Sequence, residues 1–338
     1  MLCFLLFFFI RFFSLLKNDI VIPLYINKNK FNAKIDISVY NLFINEGNVN
    51  TFYKKYIPYL FLLPALVLLV VFFFIPFFQT ILLSFYDYST DIYNPIFSGI
   101  DNYKQLFSSS EFYTTLFNTF LFLIMVVPIL AVLPLIVAIF INQKIRGINI
   151  YKVLIYLPVV VSIVVVAIAF KWLYAQEGIL NYFISLFGIP QIGWLTDTKF
   201  AMLSVAMVTI YKGIGYYMMI YLSALIGVPK DLYEAADVDG AGEFYKHLTV
   251  TIPHLMPVIA LVVTISSISA LKVFAEIYVM TKGGPLNSTK TIVYYIYERA
   301  FENLDLSSAA AASVVLLAVI LVFSIINITF FEGKKYKL

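Results

Sequence analysis

Charged residues fall at long intervals along this chain and cut it into apolar lengths. None occurs between Lys55 and Asp87, between Glu111 and Lys144, between Lys152 and Lys171, or between Asp305 and Glu332. Two further apolar stretches, 200–226 and 255–280, are interrupted only by Lys212 and by Lys272 and Glu276. A helix rises about 1.5 Å per residue, so about 20 apolar residues cross a hydrocarbon core of roughly 30 Å. The pattern predicts six spanning helices, near 57–83, 113–141, 153–174, 200–226, 255–280 and 307–331. The predicted class is an all-α, polytopic membrane protein.

Lys and Arg set the orientation. One set of connecting segments contains Lys54 and Lys55; Lys144, Arg146 and Lys152; Lys230 and Lys246; and Lys334, Lys335 and Lys337. The opposite segments are longer and acidic, with Asp87, Asp91, Asp101, Glu111, Glu177, Asp197, Glu298, Glu302 and Asp305. The positive-inside rule places residues 50–56, the loops 142–152 and 228–253, and the C-terminal tail in the cytoplasm. Both ends of the 51–338 domain are then cytoplasmic.

The first fifty residues break the pattern. Residues 2–16 are apolar except for Arg11 and too short to span comfortably. No basic region precedes them and no small-residue cleavage site follows, which argues against a signal peptide. Residues 17–50 carry no sustained period. The preferred reading of 1–50 is an unstructured extension, or upstream sequence attached by a misassigned start. A half-inserted seventh helix is the minority alternative.

Composition agrees with the pattern. Of 338 residues, 62% are hydrophobic and 12% charged, against about 25% charged in soluble domains. A net charge of +4 gives no argument for nucleic acid. Cys3 is the only cysteine and His247 and His254 the only histidines, which leaves no disulfide and little room for a zinc site.

The loop 228–253 holds the most information. Pro229 suits a helix start, and Leu232, Ala235 and Ala236 fall at i, i+3 and i+4 on one narrow face. Gly240 permits a sharp turn, and Phe244 and Leu248 begin a second short face. These residues alone leave two readings: a docking helix for a partner, or an ordinary helical loop with solvated acids.

Glu234-Ala235-Ala236, Gly240 four residues after Ala236, and Val250-Thr251-Ile252-Pro253 resemble the EAA motif of ABC importer permeases. Here Val250 and Ile252 stand for the family's Ile and Leu. Leu60-Phe61-Leu62-Leu63-Pro64-Ala65, Ser84-Phe85-Tyr86-Asp87, Asp101-Asn102-Tyr103, Thr281-Lys282-Gly283-Gly284-Pro285 and Ala309-Ala310-Ala311 extend the likeness from residue 51 onward. Together they resemble the maltose and glycerol-phosphate group, and the first of its two permease subunits.

The resemblance implies the type I importer fold in a bacterial-type inner membrane. It implies that Glu234, Ala235, Ala236, Gly240 and Pro253 couple the chain to a separate ATPase pair. No G-x-x-x-x-G-K-[ST] loop occurs, so ATP would be bound by that pair, and the chain itself is expected to need no cofactor or metal. A second permease, an external solute-binding protein and a sugar or related polyol complete the implied assembly. Laid onto this sequence, the family's solute site involves Thr209, Gly213 and Tyr216 on span four and Ser266, Ala270 and Val273 on span five.

Charges inside spans raise functional hypotheses by default. Lys272 and Glu276 are expected to pair at i, i+4 on one helix face. Lys171 is close enough to an interface to snorkel. Lys212, beside Gly213, Gly215, Tyr216 and Tyr217, is expected to face the pathway; its rival role is to anchor a neighbouring helix through a backbone carbonyl. His247 and His254 read as packing or surface residues. An intramembrane enzyme would need a nucleophile–base pair or paired carboxylates in the spans. An ion-coupled carrier would keep intramembrane acids but would not need the 228–253 pattern.

Overall fold

Backbone groups in a bilayer core must be satisfied within the chain, so uncharged runs of this length fold as helices. The computed structural model describes residues 51–88, 95–143 and 147–335. The extension 1–50 lies outside the described residues, as do the basic positions Lys144, Arg146 and Lys337.

The chain divides into two units, Met1–Gln79 and Thr80–Leu338. In the first, α1 (Thr51–Leu69) passes through a π-turn at Val70–Phe74 into the start of α2 (Ile75–Leu83). The second unit holds a strand pair, β1 (Tyr86–Asp87) antiparallel to β2 (Ile96–Phe97), followed by α3 (Asp101–Ser108) and α4 (Ser110–Ile141). Then come α5 (Ile148–Val160), α6 (Ile163–Leu173), α7 (Ile179–Ser185), α8 (Thr198–Ile226) and the loop helix α9 (Lys230–Val238). After α10 (Glu243–Lys246) and a π-turn at His247–Thr251, the chain continues as α11 (Ile252–Leu271), α12 (Ala275–Met280), α13 (Ile292–Tyr297) and α14 (Leu306–Lys335).

Among the described residues, five helical stretches are long and apolar enough to cross a membrane: Phe61–Leu83, Ser110–Ile141, Thr198–Ile226, Glu243–Leu271 and Leu306–Phe331. The expected span 153–174 falls on the pair α5 and α6, which passes the same test only as two helices bent by 97° at their break, a broken span or a re-entrant loop. Pro158 lies inside α5 and removes a ladder donor, and Val161 then turns extended at ψ 139°. Span five also departs from expectation. It begins at Glu243 and its helix ends at Leu271, with Lys272–Phe274 separating α11 from α12. The break removes the expected Lys272–Glu276 pairing: Glu276 instead accepts a hydrogen bond from Thr209 at 3.1 Å, and Lys272 is exposed.

In the second unit α8 packs chiefly on α4 and then on α5, while α11 lies against α4 and α14. Glycines set how closely α8 approaches. A Cβ at Gly215 would stand 2.3 Å from the Ile155 carbonyl oxygen, and one at Gly213 would stand 2.7 Å from Leu130 Cδ2. Tyr221, fully buried, donates to the Ala131 carbonyl at 2.9 Å. On α14 the buried run Ala309–Ala312 gives small-residue packing of the kind membrane helices favour.

The segment after α2 shows what two of the resemblance motifs do physically. Asn102 donates to the carbonyls of Ser84 and Tyr86 at 2.9 and 3.0 Å, and the Ser84 and Tyr103 hydroxyls meet at 2.6 Å. The motif at 281–285 forms a turn with Lys282 and Gly283 at φ 49° and 80°. The Thr281 and Thr289 hydroxyls close that turn at 2.7 Å, and Asn118 donates to the carbonyls of Asn287 and Lys290.

Candidate functional site

The loop 228–253 is built from its helix ends. Pro229 precedes α9, where its missing N–H costs nothing. The Ala241 N–H reaches the Ala236 carbonyl at 2.9 Å and the Gly240 N–H reaches Asp237 at 3.0 Å. That double bond pattern is a Schellman stop, which needs a left-handed residue at its turn. Gly240 supplies it at φ +77°. A Cβ there would meet no atom within 4 Å, so the demand for glycine comes from the backbone and not from crowding. Glu234 and Ala235 are exposed and Ala236 is half-buried. On either side of the turn, Val238 and Phe244 are 89% and 77% exposed, an apolar surface that none of the described residues covers.

Two contacts fasten α9 to the start of span five, Tyr233 with Thr251 and Asp237 with Lys246, and two more lie within that start. The Tyr233 hydroxyl meets Thr251 Oγ1 at 2.9 Å, and His247 Nδ1 meets the same oxygen at 3.0 Å. Lys246 pairs with Asp237 and, at 2.6 Å, with Glu243. Sequence reasoning had passed over Tyr233, Asp237 and Thr251; Thr251 lies within the motif, but its burial carried no local signal. Pro253 is the second residue of α11, and with Leu232, Thr249, Val250 and His254 it lines a shallow open cleft between α9 and α11. Among the described residues no group of three His, Cys, Asp or Glu could hold a metal.

The expected solute-pathway residues separate into two groups. Tyr216 is 44% exposed, with Tyr217 edge-on at 5.1 Å. Thr209 and Lys212, one turn apart on the same helix, are half-buried and hold partners on two broken spans. The Lys212 ammonium donates to the Val161 carbonyl at 2.7 Å, the group freed by the break between α5 and α6. That contact is the one the anchoring alternative calls for. Gly213 packs against Leu130 and keeps α8 close to α4. Ser266, Ala270 and Val273 are 1%, 2% and 5% exposed, and the Ser266 hydroxyl is turned back to the Val263 carbonyl.

At the far end of span five, a buried ion network was hidden in the sequence. Lys290, 3% exposed, pairs with Glu111 at 2.5 Å and with Glu298, and Arg299 pairs with Glu111 at 2.7 Å. Burial opposes the Lys290 charge, but the two carboxylates outweigh it and hold the ammonium pKa above its ordinary value.

A family model described as "Binding-protein-dependent transport system inner membrane component" matches residues 96–331. A probable ABC transporter permease protein of Bacillus subtilis (strain 168) is 34% identical over 289 residues, covering 83% of this chain and 98% of its own. The lactose transport system permease protein of Rhizobium radiobacter is 34% identical over 285 residues, 82% of this chain and 94% of its own. Among solved structures, a bacterial alginate ABC transporter in complex with alginate pentasaccharide-bound periplasmic protein is similar. One of its chains matches at a TM-score of 0.72 and 25% identity, covering 82% of this chain and 94% of that one.

Proposed function

Because the chain belongs to the family of binding-protein-dependent transport system inner membrane components, we propose that it forms one half of the solute pathway of an ATP-driven sugar or polyol importer. The loop 228–253 then faces the cytoplasm. Glu234, Ala235 and Ala236 present the docking face to one member of a separate ATPase pair, Gly240 turns the chain beside it, and Pro253 starts the helix that receives the motion. The chain supplies no ATP site and no catalytic group of its own. A second permease closes the pathway, and an external binding protein delivers the solute.

The observation that carries this reading is the loop itself: an exposed helix ended by an obligatory left-handed glycine and tied through Thr251 into span five. Such a part delivers a push from a partner to a membrane helix, as the importer cycle requires. On the pathway side, Tyr216 offers an open ring, and Thr209 and Lys212 stand at the two span breaks. Movement of span five would add Ser266, Ala270 and Val273, with Gly213 keeping span four close to its neighbour.

Reconstitution of the chain with its partner permease, ATPase pair and binding protein tests the proposal. Sugar uptake should require ATP and vanish when the ATPase pair is left out. Uptake driven by an ion gradient without the ATPase would overturn it. Orientation is read from single cysteines after Cys3 is replaced: Asn287 should label from outside intact cells and Asp239 should not.

A further inference from the structure

Lys246 is the one buried charge of the loop 228–253, at 8% exposure. Lys230, Asp231, Glu234, Asp237, Asp239 and Glu243 are all exposed. A lysine taken out of water needs partners, and Lys246 has two. Its ammonium pairs with Asp237 on α9 and, at 2.6 Å, with Glu243 three residues back on its own α10. The two pairs are not equivalent. Glu243 ties Lys246 to its own helix, whereas Asp237 ties it across the Gly240 turn to the docking helix.

The spacing on each side explains how both attachments form. Asp237 follows Tyr233 by four residues, so the two side chains lie one turn apart on one face of α9. Their partners, Lys246 and Thr251, are five residues apart. Five is the wrong spacing for one face of an α-helix, where neighbours fall at three and four. Between them, however, His247–Thr251 is a π-turn, closed by the Ile252 N–H on the His247 carbonyl. Its wider i→i+5 winding brings Lys246 and Thr251 toward one face. The pairs then run antiparallel, Tyr233 with Thr251 and Asp237 with Lys246. A single attachment would leave α9 a pivot. Two of them, a helical turn apart, fix its direction.

From this arrangement we infer that Lys246 is a positioning residue for coupling, whose bridge to Asp237 makes α9 and the start of span five one rigid lever. The inference rests on the importer reading, since a lever matters only if an ATPase subunit moves α9. With both attachments in place, a displacement of α9 passes whole into α11. Without the Asp237 bridge, α9 swings about the Tyr233–Thr251 contact and part of the stroke is lost inside the loop. Glu243 has no share in this role, because its pair with Lys246 closes within the start of span five itself.

The test uses the full chain assembled with its partner permease and ATPase pair in lipid nanodiscs. Cys3 is replaced and spin labels are placed at Lys230 and Leu248, both exposed. Double electron–electron resonance reads the distance from α9 to the π-turn, without nucleotide and with ATP and vanadate, which holds the ATPase pair closed. In the unaltered loop the distance should be the same in both states. Lys246→Met keeps the stem and removes the ammonium, and should shift and broaden the distance on vanadate trapping. Asp237→Ala cuts the same bridge from its wetter side, where the carboxylate is 57% exposed and Lys246 keeps Glu243. It should act alike with folding retained, and the double variant should shift no further than either single one. Lys246→Arg and Glu243→Gln should keep the unaltered distance. Three results would each overturn the inference, whatever the unfolding temperature does: a distance that changes on trapping in the unaltered loop, one that stays fixed in both Lys246→Met and Asp237→Ala, or the same shift in Glu243→Gln. Failure of the importer reading shows separately, because the ATPase subunit is then not recovered with the unaltered chain.

Discussion

The hydroxyls of Tyr233 and Thr251 lie 2.9 Å apart and join the loop helix to the helix of span five. Thr251 is fully buried, and His247 meets the same oxygen. A force applied to α9 therefore has a short polar route into α11.

Thr251→Val keeps the shape and removes the shared oxygen. It strands two half-buried polar groups and should cost up to about 1–3 kcal/mol, whereas Tyr233→Phe removes one hydrogen bond for about 0.5–1.5 kcal/mol. Thermal unfolding of the purified chain should rank the variants in that order, and ATP-driven uptake should fall with the same ranking. Wild-type behaviour in both would show that the contact is incidental.

Gly240 and Glu234 act by different physics. An L side chain in the left-handed region costs about 1–2 kcal/mol, least for Asn. Gly240→Asn should transport close to normally and Gly240→Val should lose most uptake. The reverse order would mean that space, and not φ, is what the site demands. Glu234 is exposed, so Glu234→Ala should leave folding unchanged while costing about 2–5 kcal/mol at a desolvated partner contact. Pull-down of the ATPase subunit measures that loss directly.

Spans one, two, four and six were legible because charge spacing marks lengths that lipid must accept, and Leu83, Ile141 and Ile226 end their helices at the expected positions. Span three was not fully legible. Val159 to Val161 look the same whether the helix continues or breaks, and the break is held from outside by Lys212. Span five misled for a related reason: Lys272 and Glu276 satisfy the i, i+4 rule only if the helix continues, and it stops at Leu271. The loop was readable to the residue at Gly240, because positive φ is written in composition. Burial is not, so Ser266 and Ala270 could be placed on a helix but not inside the chain, and Val273, expected on the same helix, falls in the break after it.

Lys212 can be tested as an anchor. Lys212→Met keeps the length and leaves the Val161 carbonyl without its donor, at a cost of about 1–3 kcal/mol. Lys212→Gln keeps a donor of shorter reach and should recover part of it. Unfolding temperature should fall for Met and less for Gln. Unchanged stability with reduced uptake would return Lys212 to the pathway as a free cation.

The network at the far end makes the opposite kind of prediction, about charge in the structure and not about movement. Lys290 is nearly buried and holds Glu111 and Glu298 together. Lys290→Met leaves Arg299 with Glu111 but strands Glu298, which is 23% exposed. The cost should be about 2–3 kcal/mol, below the about 3–5 kcal/mol of a fully buried broken pair. Adding Glu298→Gln should recover part of that loss. The pH dependence has a fixed sign. The folded-state pKa of Lys290 is raised, so its stabilisation is complete below the unfolded lysine value of about 10.4 and is lost as pH climbs through the folded one. Unfolding temperature should therefore be insensitive to Lys290 titration between pH 6 and 9, windows set by that same lysine value of about 10.4. The wild type should lose its advantage over Lys290→Met only in more alkaline buffer. A wild-type advantage that disappears on acidification toward pH 6 instead would assign the stabilisation to a group other than the Lys290 ammonium.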